Sequence, residues 1–267
     1  MSSDAVKDEI ILSGSKVTKN FGGLLAVSEV DFEIKKGSIV GLIGPNGAGK
    51  TTLFNCITGN QKPTGGNISF KDIDLTPMKV NDITKLGISR TFQNIRLFKE
   101  MTVLDNVLVG MHTHVKHGLK DVILSTKKQS ADEKKMKEKA LELLEIFELD
   151  KYIDNCAKNL PYGEQRRLEI ARALATEPEL LLLDEPSAGM NINETQLLEV
   201  FIRNIREQFK VSIMLIEHDM KLVMKLCERI MVLNNGQKIA EGLPKEIQNN
   251  DDVIRAYLGG ELANVRT

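Results

Sequence analysis

The segment Gly44-Pro45-Asn46-Gly47-Ala48-Gly49-Lys50-Thr51 combines residue types that suit an anion built of several phosphate groups. It fits the spacing G-x-x-x-x-G-K-[ST] completely, and Thr52 continues it. Its glycines let backbone N–H groups close around phosphate oxygens, and a helix beginning there adds partial positive charge. Lys50 is placed to reach the β- and γ-phosphates, and the Thr51 hydroxyl to hold Mg²⁺. A second group is Asp184-Glu185, directly after Leu180-Leu181-Leu182-Leu183. Asp184 suits Mg²⁺, directly or through water, and Glu185 suits the polarisation of a water attacking the terminal phosphate.

Such groups need a scaffold that brings them to one edge. The apolar run Ile39 to Ile43 reads as a strand that ends in the breaker cluster Gly44-Pro45-Asn46-Gly47. Residues 15–43 as a whole read as strands, and a helix fits Lys50 to Thr58, stopped by Gly59-Asn60. Thr64-Gly65-Gly66-Asn67 reads as a hairpin turn before Ile68-Ser69-Phe70. Met136, Ala140, Leu143, Leu144 and Phe147 recur at helical spacing, so a helix there has one buried face. Another helix fits Glu164 to Ala175. Leu180 to Leu183 and Ser212 to Ile216 are continuous apolar runs, as in strands covered on both faces. Strands alternating with helices predict an α/β fold on a parallel sheet, whose ligands bind at the carboxyl ends of the strands.

The chain has 267 residues, 42% of them apolar and 27% charged, which excludes the composition of a disordered chain. Lys and Arg number 36 against 37 Asp and Glu, a net charge of −1. The strongly basic balance of a nucleic-acid binder is absent. The longest aliphatic run is the four leucines, against the roughly 20 apolar residues of a membrane span. The acidic start, with Asp4, Asp8 and Glu9, does not read as a secretory signal. Cys56, Cys156 and Cys227 are scattered without CxxC spacing, as expected of reduced thiols in a cytosolic protein. His112, His114 and His117 with the lysines that follow read as an exposed insertion rather than a metal site. The lysine pairs 127–128 and 134–135 read as a solvated helix face.

Leu160-Pro161-Tyr162-Gly163-Glu164-Gln165-Arg166-Arg167 precedes the acidic pair and opens a helix with glycine, a second place where backbone N–H groups face an anion. With it the chain resembles, from about residue 15 to 257, the ATP-binding-cassette ATPases. The segment is similar to that family's signature, usually L-S-G-G-Q. The resemblance implies that Leu160, Pro161, Tyr162, Gly163, Glu164 and Gln165 cap the γ-phosphate of ATP held by a partner subunit. It implies that Phe21 stacks on adenine, with Val27 also in the ATP-binding set. It further implies that Gln93 links Mg²⁺ and attacking water to the membrane partner, and that His218 contacts the γ-phosphate. Two positions depart from the pattern. Pro161 stands for the signature serine, with neither hydroxyl nor N–H, leaving more to Gly163. Asn191 stands for an aspartate in Ser187-Ala188-Gly189-Met190-Asn191.

The resemblance implies a P-loop NTPase of the ABC nucleotide-binding type: parallel-sheet core, antiparallel β subdomain and helical subdomain. One domain is expected over residues 8–257, its helical subdomain at about 94–172 with an insertion at about 112–140, and a C-terminal tail over 258–267. The runs Phe21 to Val27, Leu160 to Arg172, Ala188 to Asn191 and Ile216 to Met220 are similar to ATP-binding subunits of branched-chain amino-acid importers. Urea-importer and lipopolysaccharide-export ATPases share parts of this pattern, so those cargoes, other amino acids and a non-transport soluble ATPase stay open. The expected cofactors are ATP and Mg²⁺. The expected partners are transmembrane permease subunits, a second ATP-binding subunit (paralogue or self) and, indirectly, a solute-binding protein outside the membrane, with no nucleic acid. The expected place is the cytoplasmic face of the cell membrane. Ile95, Leu97, Phe98 and Met101, after Gln93, are either apolar contacts for the membrane partner or core of the helical subdomain.

Overall fold

The computed structural model describes residues 9–112 and 127–264, with side chains described outside 127–131 and 258–264. The described residues fall into two compact units. One lies within Met1–Ile83 and Glu179–Thr267, the other within Thr84–Pro178.

In the first unit, β1 (Ile10–Phe21) and β2 (Leu24–Lys35) pair antiparallel, and β1 also pairs antiparallel with β4 (Gly65–Phe70). The four-stranded sheet runs β2-β1-β4-β5, with β5 at Ile73–Asp74. The hairpin turn expected at residues 64–67 is a correction. Gly65 already belongs to β4 and pairs with Thr18, so the strand before β4 in the sheet lies far back in the chain. The tight turn is one strand later, at Lys71-Asp72 between β4 and β5. Both residues have positive φ, 49° and 65°, the left-handed geometry of a two-residue hairpin. Neither is glycine or asparagine, so the usual turn signal is missing there.

The second sheet carries, within this unit, the order β10-β9-β3-β8-β7. Its central strands β3 (Ile39–Ile43), β7 (Leu180–Asp184) and β8 (Ser212–Ile216) are buried at every position. They pair in parallel, β3 with β8 and β8 with β7. Strand β9 (Arg229–Asn234) is parallel to β3, and β10 (Gln237–Gly242) turns back antiparallel. Unbroken Leu, Ile, Met and Val suits strands covered on both faces. Leu42 and Asp184 both pair with Ile216, so three strands end level with one another. Helices α1 (Lys50–Ile57), α6 (Ile192–Phe209) and α7 (Met220–Leu226) follow them. Helices α8 (Pro244–Gln248) and α9 (Asp251–Asn264) close this part of the chain. Helix α9 runs without a break past residue 258, where a tail was expected.

The second unit contains α3 (Val103–Met111), α4 (Lys127–Ile146) and α5 (Tyr162–Leu174), with short α2 (Val80–Lys85) and β6 (Ile88–Arg90) around its start. Ala140, Leu143, Leu144 and Phe147 are buried and Lys134 and Lys135 exposed, as the helical spacing requires. Helix α5 begins at Tyr162, two residues before the expected Glu164, with Pro161 as its N-cap. Gly163 therefore sits inside the first turn. Residues 113–126 of the expected insertion, His114 and His117 among them, lie outside the described residues.

Candidate functional site

The carboxyl ends of β3, β8 and β7 set three loops side by side. The loop after β3 is Gly44 to Gly49, and Gly49 is the N-cap of α1. Gly44 and Gly49 are left-handed, at φ 148° and 101°. A Cβ on Gly44 would lie 2.0 Å from the Leu233 carbonyl oxygen, and one on Gly49 would lie 2.3 Å from that of Ala26. No other residue type fits either place, so glycine is required by crowding as well as by φ. Ala48 is buried and contributes to the loop through its backbone, its N–H donating to the Pro45 carbonyl at 3.2 Å. Asn46 and Gly47 are exposed at the rim, Pro45 and Thr52 are half-buried, and Thr51 is exposed.

Lys50 Nζ folds over this loop and donates to the Gly44 carbonyl at 2.7 Å and the Pro45 carbonyl at 2.9 Å. Burial pushes its ammonium pKa below the usual lysine value, while the nearby Glu185 and Asp184 carboxylates oppose that shift. The loop thus brings a cation, buried and aimed inward, to a concave ring of backbone. That fits a polyphosphate. Tyr257, on α9, also reaches this loop. Burial raises its hydroxyl pKa, and a hydrogen bond with the Gly44 backbone works the other way.

Asp184 ends β7 and is buried. The Thr51 hydroxyl and the Asp184 carboxylate offer hard oxygens, the kind of ligand that suits Mg²⁺. Among the described residues no group of three or more His, Cys, Asp or Glu is placed to hold a metal.

Glu185 has φ 49°, a left-handed conformation uncommon for a residue with a side chain. Its N–H donates to the Ile216 carbonyl at 2.9 Å, and its own carbonyl accepts from Ala188 N–H at 3.1 Å, so the kink is held from both sides. The kink turns the carboxylate toward the loop after β8. There His218 Nε2 and Glu185 Oε1 are 2.7 Å apart. The imidazole is half exposed and the carboxylate mostly covered, at 44% and 13%. His218 does not cap the following helix. Asp219 does so, accepting from Lys221 and Leu222 N–H at 2.8 and 3.2 Å.

Phe21 ends β1 with its ring 43% exposed, and Lys19 Nζ sits 4.9 Å from the ring centroid. An open aromatic face there can stack on a base. Val27 is a correction: the alternation of β2 turns its side chain into the core, where it is 0% exposed and cannot touch a ligand.

In the second unit Gln93 is exposed. The segment around it is tied to α5 by a buried pair that the sequence reading passed over. Arg166 Nη1 donates to Glu169 Oε2 at 2.9 Å and to the Phe92 carbonyl at 2.7 Å, and Nη2 donates to the Gln93 carbonyl at 2.9 Å. Glu169 Oε1 accepts from Arg96 N–H at 3.0 Å. A visible signal existed: Arg166 and Glu169 stand four and one residues before Ile170, on the apolar face of α5. Along the same segment Ile95, Leu97 and Met101 are half-buried and only Phe98 is exposed, so none is core. Buried Asn106 holds Phe98 by accepting its N–H at 2.9 Å and donating to its carbonyl at 3.1 Å.

At the signature-like segment Leu160 is buried, Pro161 and Tyr162 are exposed, and Gly163, Glu164 and Gln165 are half-buried. A Cβ on Gly163 would meet nothing within 4 Å, so there is open space beside the first turn, whose N–H groups lack partners within the helix. Gln165 Nε2 donates back to the Leu160 carbonyl at 2.8 Å and fixes the entry to the helix.

Comparison with known proteins gives a consistent set. A family model described as ABC transporter matches residues 27–188, and one described as branched-chain amino acid ATP-binding cassette transporter matches residues 237–263. The high-affinity branched-chain amino acid transport ATP-binding protein LivG of Escherichia coli K12 is 49% identical over 93% of this chain and 98% of its own. The corresponding protein BraF of Pseudomonas aeruginosa is 45% identical over the same shares. Among solved structures, an ATP-binding cassette of an ABC transporter in its ADP conformation superposes with a TM-score of 0.81. It is 31% identical, over 94% of this chain and 99% of that one. A dimeric cassette bound to ADP and Pi in a post-hydrolysis state gives 0.74 at 25% identity, over 88% and 99%.

Proposed function

The chain belongs to the ABC transporter family, and from that premise we propose that it is the ATP-binding, ATP-hydrolysing subunit of a branched-chain amino-acid importer. The observation that carries the hydrolytic reading is the contact of Glu185 with His218, 2.7 Å, beside a loop that presents Lys50. The LivG and BraF likeness over nearly the whole chain, with the C-terminal match at 237–263, supports the cargo class.

In this reading the backbone of Gly44 to Thr52 and the ammonium of Lys50 hold the β- and γ-phosphates, while Phe21 stacks on the base. Thr51 and Asp184 would hold Mg²⁺, which would neutralise charge that develops on the phosphates. Glu185 takes the proton of the attacking water, and His218 keeps that carboxylate in one orientation. The first turn of α5, with Gly163 at its centre and residues 160–165 around it, presents N–H groups to the nucleotide of a second ATP-binding subunit. Closure of the two subunits on ATP and their release after hydrolysis is a two-state change biased by a ligand. Transmembrane permease subunits follow that change, and a solute-binding protein delivers the amino acid to them. Among the described residues no helix is long and apolar enough to cross a membrane, which is compatible with a peripheral subunit.

The test is uptake of labelled leucine at low micromolar concentration in cells lacking this chain, complemented with the intact gene or with Lys50→Ala. Restoration by the intact copy alone is expected. Uptake unaffected by the loss, in cells without a redundant importer, removes the cargo.

A further inference from the structure

The residue between β8 and His218 is Glu217, and its carboxylate is 2% exposed. Its nearest hydrogen-bond partners are backbone N–H groups. Oε1 accepts Ser187 N–H at 2.7 Å; Oε2 accepts His218 N–H at 3.0 Å and, more weakly, Asp219 N–H at 3.4 Å. These donors come from two loops. Ser187 follows Glu185 by two residues, and His218 is the group that meets the Glu185 carboxylate. One side chain therefore grips the main chain on both sides of the Glu185–His218 contact.

A buried carboxylate is costly to keep unless each oxygen is hydrogen-bonded, and bonds to the ionised form are short and directional. A fold that needed only to join two loops would do so with an apolar contact at lower cost. What the carboxylate adds is a fixed distance and angle between the main chains that bear Glu185 and His218. We propose that Glu217 is the positioning residue of the hydrolytic site. It acts through the main chain of Ser187 and His218, sets the orientation of the Glu185 carboxylate, and touches no nucleotide. This rests on the reading of Glu185 and His218 as the hydrolytic pair. Glutamine does not replace it. An amide offers one acceptor and one donor, so one of the two loops would meet N–H against N–H.

The experiment measures ATP turnover of the full chain in its assembled transporter, for the intact protein, Glu217→Gln, His218→Ala and the double variant. Glu217→Gln is expected to lower kcat by about 10- to 100-fold. KM for ATP stays within about twofold, because the phosphate loop is untouched. On the His218→Ala background, adding Glu217→Gln is expected to change kcat by less than about twofold, since the Glu185–His218 contact that it sets is already lost. A carboxylate that merely braced the fold would cost the same in both backgrounds, and that result overturns the proposal. So does full kcat in Glu217→Gln while His218→Ala is impaired. Full kcat in His218→Ala instead overturns the reading of the pair itself. If Glu217→Gln does not fold, Glu217→Asp is read the same way. It keeps the charge but falls short of Ser187, and full kcat in it sinks the proposal.

Discussion

The carboxylate of Glu185 owes its direction to one backbone torsion. At φ 49° the residue turns sharply off the end of β7, held by Ile216 and Ala188, and its side chain lands 2.7 Å from His218. On the proposed mechanism the carboxylate accepts the proton of water and Lys50 binds phosphate. Glu185→Gln should then keep ATP binding and lose about 10²- to 10⁴-fold in turnover. Nucleotide binding and phosphate release measured on the same preparation check this, and turnover at the native rate would refute the assignment. Residues of this kind were the legible part of the site. Gly44 to Thr51 and Asp184-Glu185 act through spacing within a few residues, which a sequence displays directly. Glu217, Arg166 and Glu169 were not legible, because each also meets a partner 30 to 77 positions away in the chain. The burial of Val27 is not legible either, because its place six residues after Phe21 says nothing about which face of β2 it takes.

At the scale of elements, Asn191 shows how a departure from a family pattern is absorbed locally. Its Oδ1 accepts Asn193 N–H at 2.9 Å and Glu194 N–H at 3.1 Å, while Glu194 Oε2 accepts Asn191 N–H at 2.8 Å. That reciprocal box starts α6, and asparagine serves as well as aspartate there. Asn191→Ala should cost about 1 kcal/mol, and Asn191→Asp only a few tenths. Thermal unfolding of the three chains, with an expected fall of about 2–4 °C for alanine alone, decides it. A fall of the same size for aspartate would mean that the amide does something besides capping. Strand and helix existence followed from periodicity, as for β3, β7, β8 and α4. Boundaries and turns followed less well. The β4–β5 hairpin hides in Lys71-Asp72, and the start of α5 at Tyr162 hides behind a proline that reads as a breaker.

For the whole molecule, two core thiols report on its integrity. Burial pushes Cys56 up to about 11 and Cys227 up to about 12, both from an ordinary value near 9. A raised pKa in the folded state means that the unfolded chain gives up these protons first. The contribution is therefore full below about pH 9 and is lost as pH rises through 11 and 12. Denaturant unfolding at pH 8 and pH 10.5 should show a drop on the order of 4 kcal/mol from the two thiols, smaller in a Cys56→Ala, Cys227→Ala chain. An equal drop in both chains would place the alkaline sensitivity elsewhere. The parallel sheet was readable from alternating strands and helices. The order β10-β9-β3-β8-β7 was not, because nothing local says that β3 lies between two strands much later in the chain. The torsion at Glu185 bears on this global stability in another way. Left-handed backbone suits glycine far better than glutamate, on the order of 1 kcal/mol. At this one position heat tolerance and activity are opposed. A lineage or a laboratory screen selected only for surviving heat would drift toward glycine there, and toward a sturdier chain that no longer turns over.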